Sequence, residues 1–348
     1  MKRRIPTLLL AAMALATLPG CDDSGRQTKG KPLFLADITG RAGEVLLVVD
    51  NDIKNDTSGR FMRAIFEQPM LGLPSDEPLY DVLTVPRKAF NAQLPTFRNL
   101  VYTQVADTIA VDTVKYGHDQ WAKPQAYISV QAGSKARLLK LLERHEMKIL
   151  SFVAQSERDR IIRFNRRTRD HGLTDYLRRH WNIAVDIPTG YNKNKSSDDF
   201  TWVSTETPET SVGMFFYSFP YVGEGTFSKE YLLNKRDSLL HFNIEGPKGS
   251  FMCTELRADI TYRTGTADGL PMVELRGLWR MNGYLMGGPF VLRAIHDTRN
   301  DRVFVMDGYV YYPSKDRKRE KIRQIDAIMY SARMLPPAAP ADTVNANK

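Results

Sequence analysis

The sequence predicts an α+β protein whose sheets are mainly antiparallel and packed with helices, arranged as two modules. The chain has 348 residues, of which 42% are hydrophobic and 10% aromatic, so it carries enough apolar surface to build a folded core. Helical and strand patterns alternate up to residue 181, whereas strand patterns dominate after it. This change divides the predicted modules into residues 32–181 and 182–333.

Short β-branched runs and amphipathic stretches define the elements of the first module. Residues 134–152 are predicted to form a helix because a buried face recurs at helical spacing. That face consists of Leu138, Leu141, Leu142, His145 and Ile149. The other predicted helices cover residues 57–66 and 157–169 and, after a break at Gly172, a short stretch ending at residue 180. The predicted strands cover residues 44–50, 80–85, 100–104 and 126–130.

The second module is predicted to be an antiparallel meander with two helices. The strands are expected at residues 183–187, 200–206, 212–219, 251–255, 273–281, 289–296 and 302–311, and the helices near 228–240 and 315–333. Strict alternation in 273–281 predicts that one face is mostly wet. The wet side chains would be Glu274, Arg276, Leu278 and Arg280. Gly283, Gly287 and Gly288 are expected in the turn that follows.

The N-terminus carries an export signal. Three basic residues precede an apolar run over residues 5–18, which is typical of a secretory signal peptide and too short to span a membrane comfortably. We therefore predict a signal peptide at residues 1–20, a flexible polar tether at 21–31 and, because of its Pro/Ala-rich sequence, a disordered tail at 334–348.

The signal ends in Leu18-Pro19-Gly20-Cys21, which resembles the lipobox of bacterial lipoproteins, with Pro19 departing from the usual small residue. This resemblance implies that Cys21 becomes the first mature residue and carries lipid, palmitate included. The protein would then be a lipoprotein of the bacterial cell envelope, held at the outer rather than the inner membrane, with its periplasmic or surface orientation open. The alternative is a plain signal peptide that contains a cysteine.

Several stretches are similar to an uncharacterised family of Bacteroidetes lipoproteins, domain of unknown function 4837. They are residues 40–50, 73–79, 121–125, 232–238, 274–279, 286–290 and 308–313, including Trp121-Ala-Lys-Pro-Gln125 and Met286-Gly-Gly-Pro-Phe290. The resemblance runs over nearly all of the mature chain and implies a location and a phylum but no activity. Residues 182–333 also resemble in plan the Mog1/PsbP-type fold, which implies an α-β-α sandwich for the second module.

Candidate catalytic and metal-binding residues are few. The sequence contains no G-x-S-x-G, H-E-x-x-H, Walker or G-x-G-x-x-G motif, so we predict no catalytic residues, no metal and no cofactor. Its two cysteines exclude a disulfide scaffold, and Cys253 lies in a predicted strand, where we expect a buried, inert thiol. Glu255 and Glu274 lie on neighbouring predicted strands and form a candidate glycosidase pair.

Positive charge is the other candidate feature. The formal net charge is +9, and arginines are dense in residues 157–180. Arg160, Arg163 and Arg167 would share one stripe of a helix and contact an anionic envelope lipid or glycan, since an exported protein meets no nucleic acid. The alternative is an ordinary solvated helix face.

Aromatic residues are also dense, at 215–221 and 309–312. Alternation along a strand turns half of each set inward, so core packing is favoured over a sugar-stacking surface. Taken with the export signal, these features predict a non-enzymatic binding or assembly protein with an unknown protein partner. The alternative is an envelope hydrolase acting on a glycan or peptide.

Overall fold

The structure, a computed structural model, describes residues 34–91, 93–313 and 317–336. The predicted signal peptide, the lipidation site Cys21 and the tether lie outside these residues. From Leu35 onward the described chain forms one compact unit. Its helices are α1 (Asn51–Lys54), α2 (Thr57–Glu67), α3 (Lys135–Arg167), α4 (His171–Trp181), α5 (Lys229–Asn243) and α6 (Lys318–Ser331). Its strands are β1 (Ala36–Asp37), β2 (Glu44–Val48), β3 (Asp81–Val85), β4 (Asn99–Val105), β5 (Thr113–His118), β6 (Ala122–Lys123), β7 (Ala126–Ala132), β8 (Ile183–Ala184), β9 (Asn192–Ser196), β10 (Phe200–Glu206), β11 (Ser211–Phe219), β12 (Phe251–Thr254), β13 (Thr261–Ala267), β14 (Leu270–Asn282), β15 (Tyr284–Asp297), β16 (Arg302–Tyr311) and β17 (Arg333–Met334).

The smaller of two main sheets comes from the first half of the chain. It has five strands in the order β3-β2-β4-β7-β5. The pairings from β3 to β7 are parallel, and β5 runs antiparallel to β7. Every residue of β2 is buried, as expected of a Val/Leu-rich central strand that is covered on both faces. Helices α2 and α3 pack on one face, and loop side chains that include Phe97 and Trp121 pack on the other.

Helix α3 differs from the sequence prediction, because the two helices predicted at 134–152 and 157–169 are one helix of 33 residues. Its N-terminus is capped by Ser134, whose side chain accepts a hydrogen bond from the backbone N–H of Arg137. No Gly or Pro interrupts the segment, and the Ser156 hydroxyl donates to the Phe152 carbonyl at 2.8 Å within the helix. The predicted separation of two helices between residues 152 and 157 is therefore wrong, and α3 is long enough to reach both halves of the chain.

The larger sheet has eight antiparallel strands in the order β12-β14-β15-β16-β11-β10-β9, with β13 also paired to β14. Helices α4 and α6 pack on one face and α5 packs on the other. The α+β class, with an α-β-α sandwich in the second half, is thereby confirmed. Strand β11 shows how the aromatic run is used: Phe216 packs towards α6, whereas Phe215 and Tyr217 pack on the α5 side. These rings are core, as predicted.

The hairpin between β14 and β15 corrects two predictions. Glu274 is only 7% exposed and the Arg276 side chain 15%, so this part of the face predicted to be wet is covered, by α6 among others, whereas the Arg280 side chain further along is 41% exposed. Gly287 and Gly288 lie inside β15 rather than in the turn. A Cβ at Gly288 would lie 2.0 Å from the Val310 carbonyl oxygen, so close strand packing explains the glycine.

Helix α6 joins the two halves. The residue before the helix, Arg317, has a left-handed backbone conformation, and its side chain does not cap the first N–H groups of α6. The buried carboxylate of Glu77 replaces that cap from the first half of the chain, accepting from the backbone N–H groups of Lys318 and Arg319 at 3.0 Å each. The Arg319 side chain in turn donates to the Pro78 carbonyl at 2.6 Å.

The predicted domain boundaries at 32–181 and 182–333 stay a prediction. The tail predicted from residue 334 begins within β17, where Met334 pairs with Ile183 and is 3% exposed. Residues 337–348 lie outside the described part of the chain.

Candidate functional site

A cavity of about 420 Å³ lies where α3, α6, β13 and β14 meet the loop after α2. We call it the junction cavity because residues from both halves of the chain line it. The lining residues that its chemistry depends on are Met70, Leu71, Met147, Leu150, Glu157, Arg158, Arg263, Glu274, Arg276, Arg323, Asp326 and Tyr330.

One wall of the junction cavity is a single stripe of α3. The stripe runs through Met147, Leu150, Ala154, Glu157 and Ile161. These positions are three or four residues apart and so share one helix face. The stripe crosses residues 153–156, where the sequence predicted a gap between two helices. The wall therefore exists because α3 is continuous.

The loop after α2 forms the second wall, and it is pressed against the larger sheet. Gly72 has φ +82°, and a Cβ there would lie 2.9 Å from the Cβ of Arg276. A side chain at this position would therefore push the loop away from β14. Met70 and Leu73 in the same loop pack against the core that the larger sheet forms with α4 and α6.

The third wall is a network of charges between β14, β15 and α6. Arg276 donates to Glu274 at 2.7 Å and to both carboxylate oxygens of Asp326, at 3.2 and 2.7 Å. Arg293, with only 2% of its side chain exposed, donates to Glu274 at 2.9 and 2.6 Å. Such multiply bonded guanidinium–carboxylate pairs hold the elements in a fixed geometry.

The remaining lining carboxylate, Glu157, is also held by arginines. It is 3% exposed and accepts two hydrogen bonds from Arg98 at 2.8 Å each, one from Arg160 at 2.8 Å and one from Asn99 at 2.5 Å. All three lining acids therefore already have a guanidinium partner. The cavity thus has no acid free to bind a cation or transfer a proton.

Two lining arginines have no carboxylate partner among the described residues. The Arg158 guanidinium stacks 3.5 Å from the ring centre of Tyr330 and donates to Gln155 at 3.1 Å. The Arg263 side chain is exposed on β13, opposite Glu274 in the register with β14, and no hydrogen bond or ion pair joins it to another described side chain. A third arginine, Arg323, is held by the Leu79 carbonyl, lies 4.4 Å from the ring centre of Tyr80 and pairs with Glu320, which does not line the cavity, at 3.6 Å. The cavity is therefore cationic on balance.

The ionisation of Glu274 predicts an acid-dependent stability. Burial alone would raise the pKa of this carboxyl, but Arg276 and Arg293 outweigh burial and lower its pKa to about 2. The ionised form is thus favoured by folding, and its stabilisation is complete above the unfolded pKa of about 4.3 and lost as the pH falls towards 2. We expect this group to lower the free energy of unfolding by roughly 3 kcal/mol across that interval. Urea unfolding at pH 2–6 measures it.

The matched comparison is between Glu274→Gln and Glu143→Gln, because Glu143 is exposed on α3. The first variant should lose this part of the acid dependence and the second should keep it. Acid profiles that are the same shape for the wild type and Glu274→Gln would contradict the assignment.

The predicted stripe of Arg160, Arg163 and Arg167 is only partly available. Arg160 is turned inward: its side chain is 8% exposed, and it donates to the Pro124 and Arg98 carbonyls at 2.8 Å each. Burial lowers its pKa to about 10, although Glu157 opposes this shift. The prediction of a surface contact through Arg160 is wrong, because buried Glu157 draws the side chain into the protein. Arg163 and Arg167 are exposed, and their contact with an anionic surface stays a prediction.

The candidate glycosidase pair is not brought together. The backbone N–H of Glu255 donates to the Leu278 carbonyl at 2.8 Å, which places Glu255 four positions along β14 from Glu274, about 13 Å away. Glycosidase carboxyl pairs are separated by about 5–9.5 Å. The pKa of Glu255 is lowered to about 2 by its hydrogen bonds with Arg257, so this group is no general acid.

Cys253 is 9% exposed on β12, as predicted, and burial raises the pKa of its thiol. The inertness of this thiol stays a prediction. In the described part of the chain no three His, Cys, Asp or Glu side chains converge as a metal site requires. Within the same residues, no helix is long and apolar enough to cross a membrane.

Sequence reasoning missed the junction cavity because its parts lie far apart in the chain. Glu157 and its partner Arg98 are 59 residues apart, and Glu77 and the start of α6 are 241 residues apart. A usable signal was the alternation in β14, which places the charged residues Glu274, Arg276 and Arg280 on one face of a strand inside the predicted meander. A charged pair in a central strand indicates a partner from another element.

Two family models match separate parts of the chain. Residues 170–331 match a domain of unknown function (DUF4837), and residues 38–166 match a second domain of unknown function (DUF8532). The predicted resemblance to the first family is confirmed, but it covers the second half of the chain rather than nearly all of it. No curated protein matches the chain.

Among solved structures there is a weak likeness to the Ran-binding protein Mog1p of Saccharomyces cerevisiae. Its identity is 11%, it covers 44% of this chain and 90% of that one, and the TM-score is 0.30. A point mutant of the protein Mog1 matches with 11% identity, 44% and 92% coverage and a TM-score of 0.29. These scores carry no argument about function. What the comparisons assign is a DUF4837 region at residues 170–331, preceded by a DUF8532 region at residues 38–166.

Proposed function

We propose that this chain is a non-enzymatic binding or assembly protein of the bacterial cell envelope, anchored by lipid on Cys21. The observation that carries the binding role is the junction cavity, which is open to a ligand while all three of its carboxylates are held by arginines. Carboxylates that are held ionised by arginines are poor groups for proton transfer. They keep the cavity walls rigid, which suits the binding of a ligand. The lipobox-like end of the signal supports the anchor and the envelope location, and the resemblance to Bacteroidetes lipoproteins supports the phylum.

The alternative, an envelope hydrolase acting on a glycan or peptide, receives no support from the geometry. Glu255 and Glu274 are too far apart, and each is held ionised by arginines. The buried Cys253 has a raised pKa, which disfavours the thiolate that a nucleophile needs.

The anchor is tested by palmitate labelling and membrane fractionation in a Bacteroidetes host. Cys21→Ser should abolish the label and release the protein from membranes or leave it unprocessed. Cys253→Ser is the matched control, since these are the two cysteines of the chain, and it should keep both label and membrane attachment. A labelled, membrane-bound Cys21→Ser protein would overturn the anchor.

The binding role is tested in cells with a photo-crosslinking amino acid placed at one of two positions. Met147, at the cavity, is 72% exposed, and Val111, away from it, is 71% exposed, so the two probes meet solvent equally. We expect a discrete adduct from position 147 and none from position 111. Equal adducts, or none at either position, would contradict a binding site at the junction cavity.

A further inference from the structure

We propose that the junction cavity binds a small anionic amphiphile: a carboxylate or phosphate head group joined to an unbranched apolar chain. This inference rests on the proposed binding function and adds the class of ligand. The cavity volume of about 420 Å³ falls within the range of sites for small molecules, roughly 300–1,000 Å³.

The charge of the lining selects an anion. Glu157, Glu274 and Asp326 are each matched by arginines, so none is free to hold a cation. Arg158 and Arg263 have no acid partner among the described residues, and both line the cavity. A carboxylate or phosphate would supply the missing counter-ion.

Arg158 is prepared for such a head group. Its guanidinium lies over the Tyr330 ring, an arrangement that uses the flat face of the group and leaves most of its in-plane N–H donors available. In-plane donors are the ones that bind carboxylate and phosphate oxygens in pairs. The stacking also limits the side-chain freedom that would be lost on binding.

The apolar part of the lining selects a chain rather than a bare ion. Met147 and Leu71 are 72% and 49% exposed at the cavity, and Met70 and Leu150 lie partly buried beside them. Four unbranched or γ-branched side chains of this kind adapt to a flexible hydrocarbon chain. An apolar chain laid along them would remove their exposed surface from water, which is favourable.

The frame around these groups is rigid enough to be a site. Hydrogen bonds from Arg98 and Asn99 join the start of β4 to α3 through Glu157, and the bond from Arg276 to Asp326 joins β14 to α6. A ligand would therefore meet walls that are already in place, and the ordering cost of binding is small.

The test measures binding calorimetrically, with decanoate and decyl phosphate as probes below their micelle concentrations. The protein is the mature chain from residue 21, expressed without the predicted signal peptide and carrying Cys21→Ser, so that it has neither lipid nor the apolar run of residues 5–18. We expect both probes to bind, and 1-decanol, acetate and inorganic phosphate to bind at least tenfold more weakly. Decanoate against decyl phosphate tells which head group the site prefers, and a preference for either supports the proposal.

Two variants assign the binding to the cavity. Arg158→Gln/Arg263→Gln should weaken decanoate at least tenfold, with the circular dichroism spectrum and melting temperature of the wild type. Arg178→Gln/Arg179→Gln removes the same charge from exposed positions on α4 and should leave decanoate unchanged. Met147→Ser should weaken decanoate while leaving the weak binding of acetate as it is.

Several outcomes would overturn the inference. If decanol binds as tightly as decanoate, the anionic head group is not recognised. If acetate binds as tightly as decanoate, the apolar chain is not recognised. If Arg158→Gln/Arg263→Gln binds decanoate like the wild type, the ligand does not bind at the junction cavity. If no probe binds while position 147 still gives its adduct in cells, the ligand class is wrong and the binding function stands. If that adduct is absent as well, the binding function itself fails.

Discussion

Replacing Asp307 with asparagine is expected to lower the free energy of unfolding by about 3–5 kcal/mol, the largest effect of any single change considered for this chain. Asp307 on β16 and Arg236 on α5 are both fully buried between the larger sheet and that helix, and Arg236 Nε lies 2.9 Å from Asp307 Oδ2. Asparagine keeps the shape but removes the buried counter-ion of Arg236, whose guanidinium lies in an apolar core against the ring of Phe290. The carboxylate that remains near it, Asp237, is 3.5 Å away and partly exposed. Urea unfolding followed by circular dichroism measures the loss.

Two controls separate charge from general disruption. Asp301→Asn makes the same chemical change at an exposed turn residue with φ +48°, a conformation asparagine tolerates, and should change stability by less than about 0.5 kcal/mol. The double variant Arg236→Met/Asp307→Leu removes both charges and should recover most of the loss. A loss below about 1 kcal/mol for Asp307→Asn would mean that Asp237 is a sufficient counter-ion for the guanidinium of Arg236.

The sequence was sufficient for the strands that are apolar in their own right. Strand β10 was predicted with its observed bounds, and β11 and β16 follow from alternating aromatic and β-branched residues. It was insufficient for β9, whose five residues Asn-Lys-Asn-Lys-Ser are all exposed. Nothing in that composition favours a strand. It becomes one because it completes the edge of β10, and its lysines suit an edge that must not pair further.

The site was harder to predict than the fold, for a physical reason. Arg160 and Arg163 are equivalent in sequence, both arginines near acids on one helix. What distinguishes them is Glu157, which is held by Arg98 just before β4 and by the buried Asn99 of β4. Asn99 and Glu157 also accept hydrogen bonds from Arg160 and so turn it inward. Sequence periodicity shows which residues share a face of a helix but not which other element covers that face. The sequence of α3 alone therefore could not show which of its arginines are buried and which are exposed.

The second large effect is expected at Glu157. Glu157→Gln keeps the size of the side chain and part of its hydrogen bonding, but it removes the charge between Arg98 and Arg160, whose side chains are 13% and 8% exposed. Two nearly buried guanidinium groups would then face each other without a carboxylate. We expect a loss of about 3 kcal/mol or more in the free energy of unfolding. Urea unfolding measures the total, and amide hydrogen exchange should show that β4 and the second half of α3 lose protection first.

Glu143→Gln is the matched control, because it makes the same change at an exposed position of the same helix and should cost less than about 0.5 kcal/mol. The comparison also separates the two candidate functions. A catalytic glutamate would be expected to tolerate glutamine with little loss of stability, since active-site charges are commonly held at the expense of stability. If the Glu157 carboxylate instead serves to join α3 to β4, Glu157→Gln should lower the free energy of unfolding. If Glu157→Gln proves as stable as Glu143→Gln, the arginines are satisfied without it, and a chemical role for Glu157 at the junction cavity becomes the better explanation.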